Sequence, residues 1–207
     1  MIEPGVIDLI MRLRGRGISD NAVLRAMELV NRKNFVAERY HAKAFEEQTL
    51  PIACGQTLPA PLATALMTQL LDLKAEHKVL EIGTGSGYHT AILSKIVKRV
   101  YSIERYKQLI AEAETRFAAL GITNHVLRHG DGRYGWKGQA PFDRIVVSCA
   151  VKNEPKMLLD QLAAGGVLIA VLGGQLTEFR KARTVIKTKS LFPMSLPAME
   201  NGKSKAL

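Results

Sequence analysis

Apolar residues recur at helical spacing through the start of the chain, and from Lys78 onward they gather into short runs separated by turn residues. The segment VIDLIMRL predicts a helix, and Ser19 or Asp20 is placed to cap a second one over NAVLRAMELV. Residues 31–40 break the period. A stretch marked by Pro and Gly from Pro51 to Pro61 reads as a loop, long enough to suggest a functional role, and a helix of about Leu62 to Leu73 follows it. The remainder alternates. KVLEIG, RVYSIE, HVLRHGDG, FDRIVVSCA and VLIAVLG read as strands. HTAILSKIV, YKQLIAEAETRFAALG and PKMLLDQLAAGG read as helices, the last ending on paired glycines. Such alternation predicts an α/β fold, a parallel sheet with helices on both faces. The segment TEFRKARTVIKTKSLFPMSL adds one or two strands, an antiparallel pair at the edge.

The first strand runs into VLEIGTGSGYHTAIL, where Gly83, Gly85 and Gly87 turn the chain toward a helix. In open α/β sheets a ligand sits at the carboxyl ends of the strands, and glycines there let it approach the backbone. The spacing is not the G-x-G-x-x-G of a dinucleotide site. Glu81 precedes the glycines, Glu104 closes the next strand where it can accept both ribose hydroxyls, and Asp131 follows the third strand in GDG, within reach of an adenine amino group. Three acids so placed suit a nucleoside cofactor without a pyrophosphate, S-adenosyl-L-methionine.

Length and charge narrow the class further. A chain of 207 residues fits one domain, read here as N-terminal helices and substrate loop (1–61), cofactor-binding core (62–174), and C-terminal strands with a basic tail (175–207). No apolar run approaches the roughly 20 residues that span a bilayer. The opening residues lack the order of a secretory signal, so a cytoplasmic location is expected. Cys54 and Cys149 stand far apart and the five histidines do not cluster, so no metal site is expected. The formal charge of +10 raises nucleic acid as a partner. Positions 180 to 205 carry seven basic residues against Glu200 alone, without interleaved aromatics, and a solvated tail is the favoured reading.

With these residues in view, the chain resembles the protein-L-isoaspartate O-methyltransferase family, through LPIACGQTLPAP, VLEIGTGSGYHTAIL, VYSIE, GDGRYGW, APFDRIVVSCA and LLDQLAAGGVLIAVLG. The resemblance implies a Rossmann-like class I methyltransferase: a mostly parallel seven-stranded sheet with helices on both faces and extra N-terminal helices. It also implies an enzyme that methylates isoaspartyl residues of damaged proteins or peptides, and a monomer is expected. By resemblance Glu81, Gly83, Thr84, Gly85, Ser86, Gly87 and Tyr88 shape the cofactor pocket, Glu104 holds the ribose, and Asp131 with Gly132 borders the adenine. Gln56, Thr57, Leu58 and Pro59 form the substrate loop.

Family members usually continue GQT with isoleucine, serine and glutamine, whereas this chain has Leu58, Pro59 and Ala60. Proline carries no hydroxyl and no N–H. The hydroxyls left to position an acceptor carboxylate are those of Thr57 and Ser148, the expected catalytic pair. The alternatives are a different acceptor, RNA or a small molecule, or a weakly catalytic cofactor-binding relative. Cys149 reads as a buried structural thiol, and His89 and Trp136 are as readily surface or packing residues as site residues.

Overall fold

The carboxylate of Asp20 closes the turn between the first two helices and caps the second, accepting hydrogen bonds from the backbone N–H groups of Ala22 (2.8 Å) and Val23 (3.2 Å). It thereby separates helix α1 (Pro4–Gly15) from α2 (Asn21–Leu29). This arrangement is seen in the computed structural model, which describes residues 3–204. Two 3₁₀ turns (Arg32–Phe35 and Glu38–Lys43) lead to a small hairpin of β1 (Leu50–Pro51) and β2 (Thr57–Leu58), and Pro61 then opens α3 (Pro61–Leu70). The predicted loop is thus a short antiparallel pair with a kinked tip, where Cys54 takes φ +58°.

The alternating region forms β3 (Lys78–Ile82), α4 (Tyr88–Ser94), β4 (Arg99–Glu104), α5 (Lys107–Ala119), β5 (His125–His129), β6 (Phe142–Val151), α6 (Lys156–Leu159) and β7 (Leu162–Leu172). Strands β8 (Gln175–Ala182) and β9 (Val185–Pro193) complete a seven-stranded sheet ordered β5-β4-β3-β6-β7-β8-β9. Pairings are parallel from β5 through β7 and antiparallel from β7 to β9. The fold class is as read from the chain. Val79, Leu80, Ile145, Val146, Leu168 and Ile169 are fully buried, as expected where both faces of a parallel sheet are covered. Edge strand β9 points Lys187 and Lys189 into solvent, a charge pattern that discourages further strand pairing.

Helices α3 and α4 end three residues before their predicted limits, at Leu70 and Ser94, and α6 is far shorter than its sequence predicts. The segment from Pro155 through the paired glycines reads as a single helix, yet α6 stops at Leu159 and Leu162 already pairs with Phe142 in the sheet. Gln161 explains the stop: its Nε2 donates to the carbonyls of Tyr134 (2.9 Å) and Met157 (2.8 Å), and its Oε1 accepts from Trp136 N–H (2.7 Å). The bonds to residues 134 and 136, which are distant in sequence, hold the backbone off the helical path.

After β9 the chain does not trail into solvent. Ala150 at the end of β6 donates to Pro197 O and accepts from Met199 N–H, both at 2.8 Å. Gly202 N–H then donates to Asp131 Oδ2 (2.9 Å), and Arg105 donates to the carbonyls of Asn201 (3.3 Å) and Gly202 (3.2 Å) while pairing with Glu200. Because β3 lies between β6 and β4, this strap crosses the carboxyl end of β3. Much of the expected basic tail is therefore structured. Lys181 Nζ donates to Leu162 O (2.7 Å) and Arg180 pairs with Glu178, whereas Lys205 lies outside the described residues.

Candidate active site

Strand order reverses between β3 and β6, because the chain goes from β3 to β4 and β5 on one side and returns to β6 on the other. The crevice that opens there is the expected ligand position in such a sheet. Its walls are the glycine corner, the ends of β4 and β6, the hairpin residues Gln56–Pro59, and the strap residues Pro197–Glu200.

Gly83, Thr84, Gly85, Ser86, Tyr88, Glu104, Gly132 and Ser148 line the cavity, as do Thr57 and Leu58. Glu104 is oriented by three backbone donors: Gly85 N–H to Oε2 (2.9 Å), and Arg105 and Tyr106 N–H to Oε1 (2.7 and 3.1 Å). A carboxylate has about four acceptor positions, so the fixed group can still accept from a ligand hydroxyl. The hydroxyls of Ser86, Tyr88 and Ser148 are buried without a partner among the described residues. Buried polar groups are normally paired, so three orphan hydroxyls around one crevice mark a polar ligand.

Three residues expected in the pocket stand behind it. Gly87 takes φ +90° and an added Cβ would lie 2.7 Å from Phe117 Cζ, so its small size serves the packing of α4 on α5. Glu81 is wholly buried and pairs in register with Ser102. Thr84 hydroxyl donates to Ser102 Oγ (2.6 Å), and Ser102 (2.6 Å) and Thr90 both donate to Glu81 Oε2, so the acid anchors the corner from below. Asp131 is taken by Arg133 and Gly202, and its bond to Arg133 holds its carboxyl below the usual range.

Burial pushes Glu81 up to about 7 and His89 down to about 4. Thr68 Oγ1 donates to Thr64 O (2.7 Å), so it accepts from His89 Nε2–H (2.9 Å) and leaves a lone pair on Nδ1, 3.9 Å from Glu81 Oε1. That approach looks like an ion pair, but at 3.9 Å with both groups desolvated the histidine is neutral. Cys149 also lines the cavity, and burial raises its thiol to about 12, so it is not a thiolate nucleophile.

Sequence reasoning missed three contributors and left a fourth open. Arg32 is fully buried and donates to the carbonyls of Ala44 (2.8 Å), Gln48 (3.1 Å) and Pro59 (2.8 Å), which suspends the hairpin from the N-terminal segment. Tyr106 OH accepts from Gln56 Nε2 (3.4 Å), tying the loop to the sheet, and Arg105 holds the strap. His89, which the sequence leaves open between surface and site, is buried and lines the cavity. Of these, Arg105 and Tyr106 were signalled by standing beside Glu104; Arg32, inside a polar run, carried no signal.

The donors suit a nucleoside methyl donor: an oriented carboxylate for the ribose, orphan hydroxyls, and bare backbone at Gly83 and Gly85. The crevice has a volume of about 120 Å³ and is partly open to solvent.

Comparison with known proteins agrees with this geometry. The family model described as protein-L-isoaspartate(D-aspartate) O-methyltransferase matches residues 6–194. The chain is 47% identical over 203 residues to the protein-L-isoaspartate O-methyltransferase of Rhodospirillum rubrum, covering 95% of this chain and 93% of the relative. It is 51% identical over 178 residues to the enzyme of the same name from Azorhizobium caulinodans, covering 86% and 82%. Among solved structures, a protein-L-isoaspartate O-methyltransferase superposes with a TM-score of 0.85 at 24% identity, covering 95% of this chain, which spans 66% of that protein's length. A Plasmodium falciparum protein solved with S-adenosyl-L-homocysteine gives a TM-score of 0.81 at 24% identity, covering 93% and 97%. These two structures carry the fold.

Proposed function

This chain belongs to the protein-L-isoaspartate(D-aspartate) O-methyltransferase family and is an S-adenosylmethionine-dependent methyltransferase, and on that premise we propose which of its residues transfer a methyl group to isoaspartyl carboxylates in damaged proteins. The observation that carries the assignment is the buried, partnerless hydroxyl of Ser148 near the end of β6, beside Gly83 in the crevice wall that the hairpin residues also line.

Glu104 would hold the ribose, with the backbone of Gly83 and Gly85 beside it and the hydroxyls of Ser86 and Tyr88 available to the polar end of the cofactor. When bound, S-adenosylmethionine supplies a methyl group activated by its sulfonium. A carboxylate is anionic at neutral pH, so the site needs no strong base, which agrees with the neutral thiol of Cys149 and the neutral ring of His89. Ser148 and Thr57 orient the acceptor carboxylate by hydrogen bonding, the task a serine at position 59 would otherwise share. Most of the rate enhancement then comes from positioning, which can be worth roughly 7–11 kcal/mol. Hairpin β1-β2 shields the reaction from water.

The assay pairs an isoaspartyl peptide with the same peptide carrying normal aspartate, each incubated with the chain and labelled S-adenosylmethionine. Label on the isoaspartyl peptide alone is expected; equal label on both, or none, refutes the acceptor assignment.

A further inference from the structure

Beside the crevice lies a second cavity, which the reaction derived above leaves unused. It has a volume of about 830 Å³, is open to solvent, and is lined by the 3₁₀ turn Gly132–Tyr134, the end of β6 and helix α6. Tyr134 and Met157 line it while remaining 51% and 37% exposed, and the buried side chains of Val151 and Leu158 line it as well. Ala198, Met199 and Glu200 of the strap border both cavities, so a single extended segment separates the acceptor site from this groove. Resting on the acceptor assignment above, we propose that the groove binds the substrate chain three to four residues from the isoaspartyl group and selects there a large apolar side chain with an acidic neighbour.

The distance fits. Val151 stands three residues beyond Ser148 on β6, about 10 Å along the strand. An extended peptide covers about 3.3–3.6 Å per residue, so when its isoaspartyl carboxylate meets Ser148, its third or fourth neighbour arrives at the groove. The groove is also preformed. Gln161 Nε2 donates to the carbonyls of both Tyr134 and Met157, at 2.9 and 2.8 Å, which fixes the spacing of the two apolar side chains' backbones. A site that needs no rearrangement loses little affinity to ordering. Large apolar side chains left this exposed are covered only when another apolar group packs on them, and that burial is favourable.

Charge selects the neighbour. Of the ionised groups that line the groove, Arg133 is paired with Asp131 and Glu200 with Arg105. Lys152, Glu154 and Lys156 remain, all exposed and without an ion pair among the described residues. Two ammonium groups outweigh one carboxylate. Successive side chains of an extended peptide point to opposite sides, so the residue next to the apolar one turns its side chain out of the groove, toward the exposed lysines. These contacts lie away from the reacting atoms and are made equally before and during methyl transfer, so they lower KM and leave kcat as it is.

The test gives the full chain labelled S-adenosylmethionine and isoaspartyl peptides that differ only at the third and fourth residues from the acceptor, before it in one series and after it in another. One peptide of each series carries phenylalanine and glutamate at these places, the other glycine and lysine. In one of the two series the phenylalanine-glutamate peptide should show a KM about ten-fold lower, at equal kcat. In the chain carrying Tyr134→Ser and Met157→Ser that ratio should fall to about two-fold, the part owed to exposed charges. In the chain carrying Lys152→Glu and Lys156→Glu, a phenylalanine-lysine peptide should become the better substrate of the phenylalanine pair, and salt should weaken that preference. Each ratio is taken within one preparation, so a variant that folds poorly lowers both rates and leaves the ratio intact. Equal KM throughout both series, or a ten-fold ratio that survives Tyr134→Ser with Met157→Ser, overturns the groove, and because both peptides are then still methylated the acceptor assignment stands. If neither peptide is labelled, the acceptor assignment fails and the groove falls with it.

Discussion

At the scale of single residues, Ser148 is the sharpest case, since its hydroxyl is buried in the crevice wall without a partner. A hydrogen bond to a charged group is worth about 1.5–3 kcal/mol, so Ser148→Ala should lower kcat/KM on isoaspartyl peptide by one to two powers of ten. Cofactor affinity measured by calorimetry should hardly change. Glu81 and His89 make a second test, because burial moves their titrations in opposite senses. Between its ordinary 4.5 and about 7, folded Glu81 keeps a proton that the unfolded chain has released. Its contribution to stability is therefore present at acid pH and lost as pH rises through 7. His89 in the fold lacks, between about 4 and 6.5, the proton that the unfolded chain binds, so its contribution is present above 6.5 and lost as pH falls through 4. Each amounts to about 3 kcal/mol over its window, and the two oppose each other where the windows overlap. Glu81→Gln should thus steepen the loss of stability on acidification from pH 6.5 to 4.5, and His89→Gln should reverse it. Urea unfolding midpoints across that range decide the signs.

At the scale of elements, the hairpin that carries Gln56 and Thr57 depends on Arg32. Three carbonyls along residues 44–59 converge on one buried guanidinium. Arg32→Met should cost at least about 3 kcal/mol in urea unfolding, since unpaired buried carbonyls cost about 1–3 kcal/mol each. It should also raise KM for the peptide more than KM for the cofactor. Periodicity made most elements legible: the alternation of strands and helices from Lys78 onward, the Asp20 cap, and the antiparallel edge all follow from local pattern. What local pattern could not show was set by distant partners. Residues 162–166 joined a strand because Gln161 is bonded to residues 134 and 136 across the fold. Glu81 looked like a pocket acid because its neighbour Ser102, which claims it, is 21 positions away and meets it only through sheet register.

At the scale of the whole molecule, the crevice is assembled from pieces that no single stretch of sequence contains. Its glycine corner and its acid at Glu104 were legible because the chemistry sits at strand ends. The strap was not, since its bonds run from Ala150, Arg105 and Asp131 to residues about 50 to 100 positions further along. Among the described residues no helix is long and apolar enough to cross a membrane. Arg32 has a further consequence for the architecture. Because the guanidinium belongs to the N-terminal segment and the carbonyls it gathers flank the hairpin on both sides, the two form one inheritable cassette. Transplanting the hairpin alone onto another methyltransferase sheet would bring the reading head without its suspension, and a working graft has to begin no later than the turn that carries that arginine.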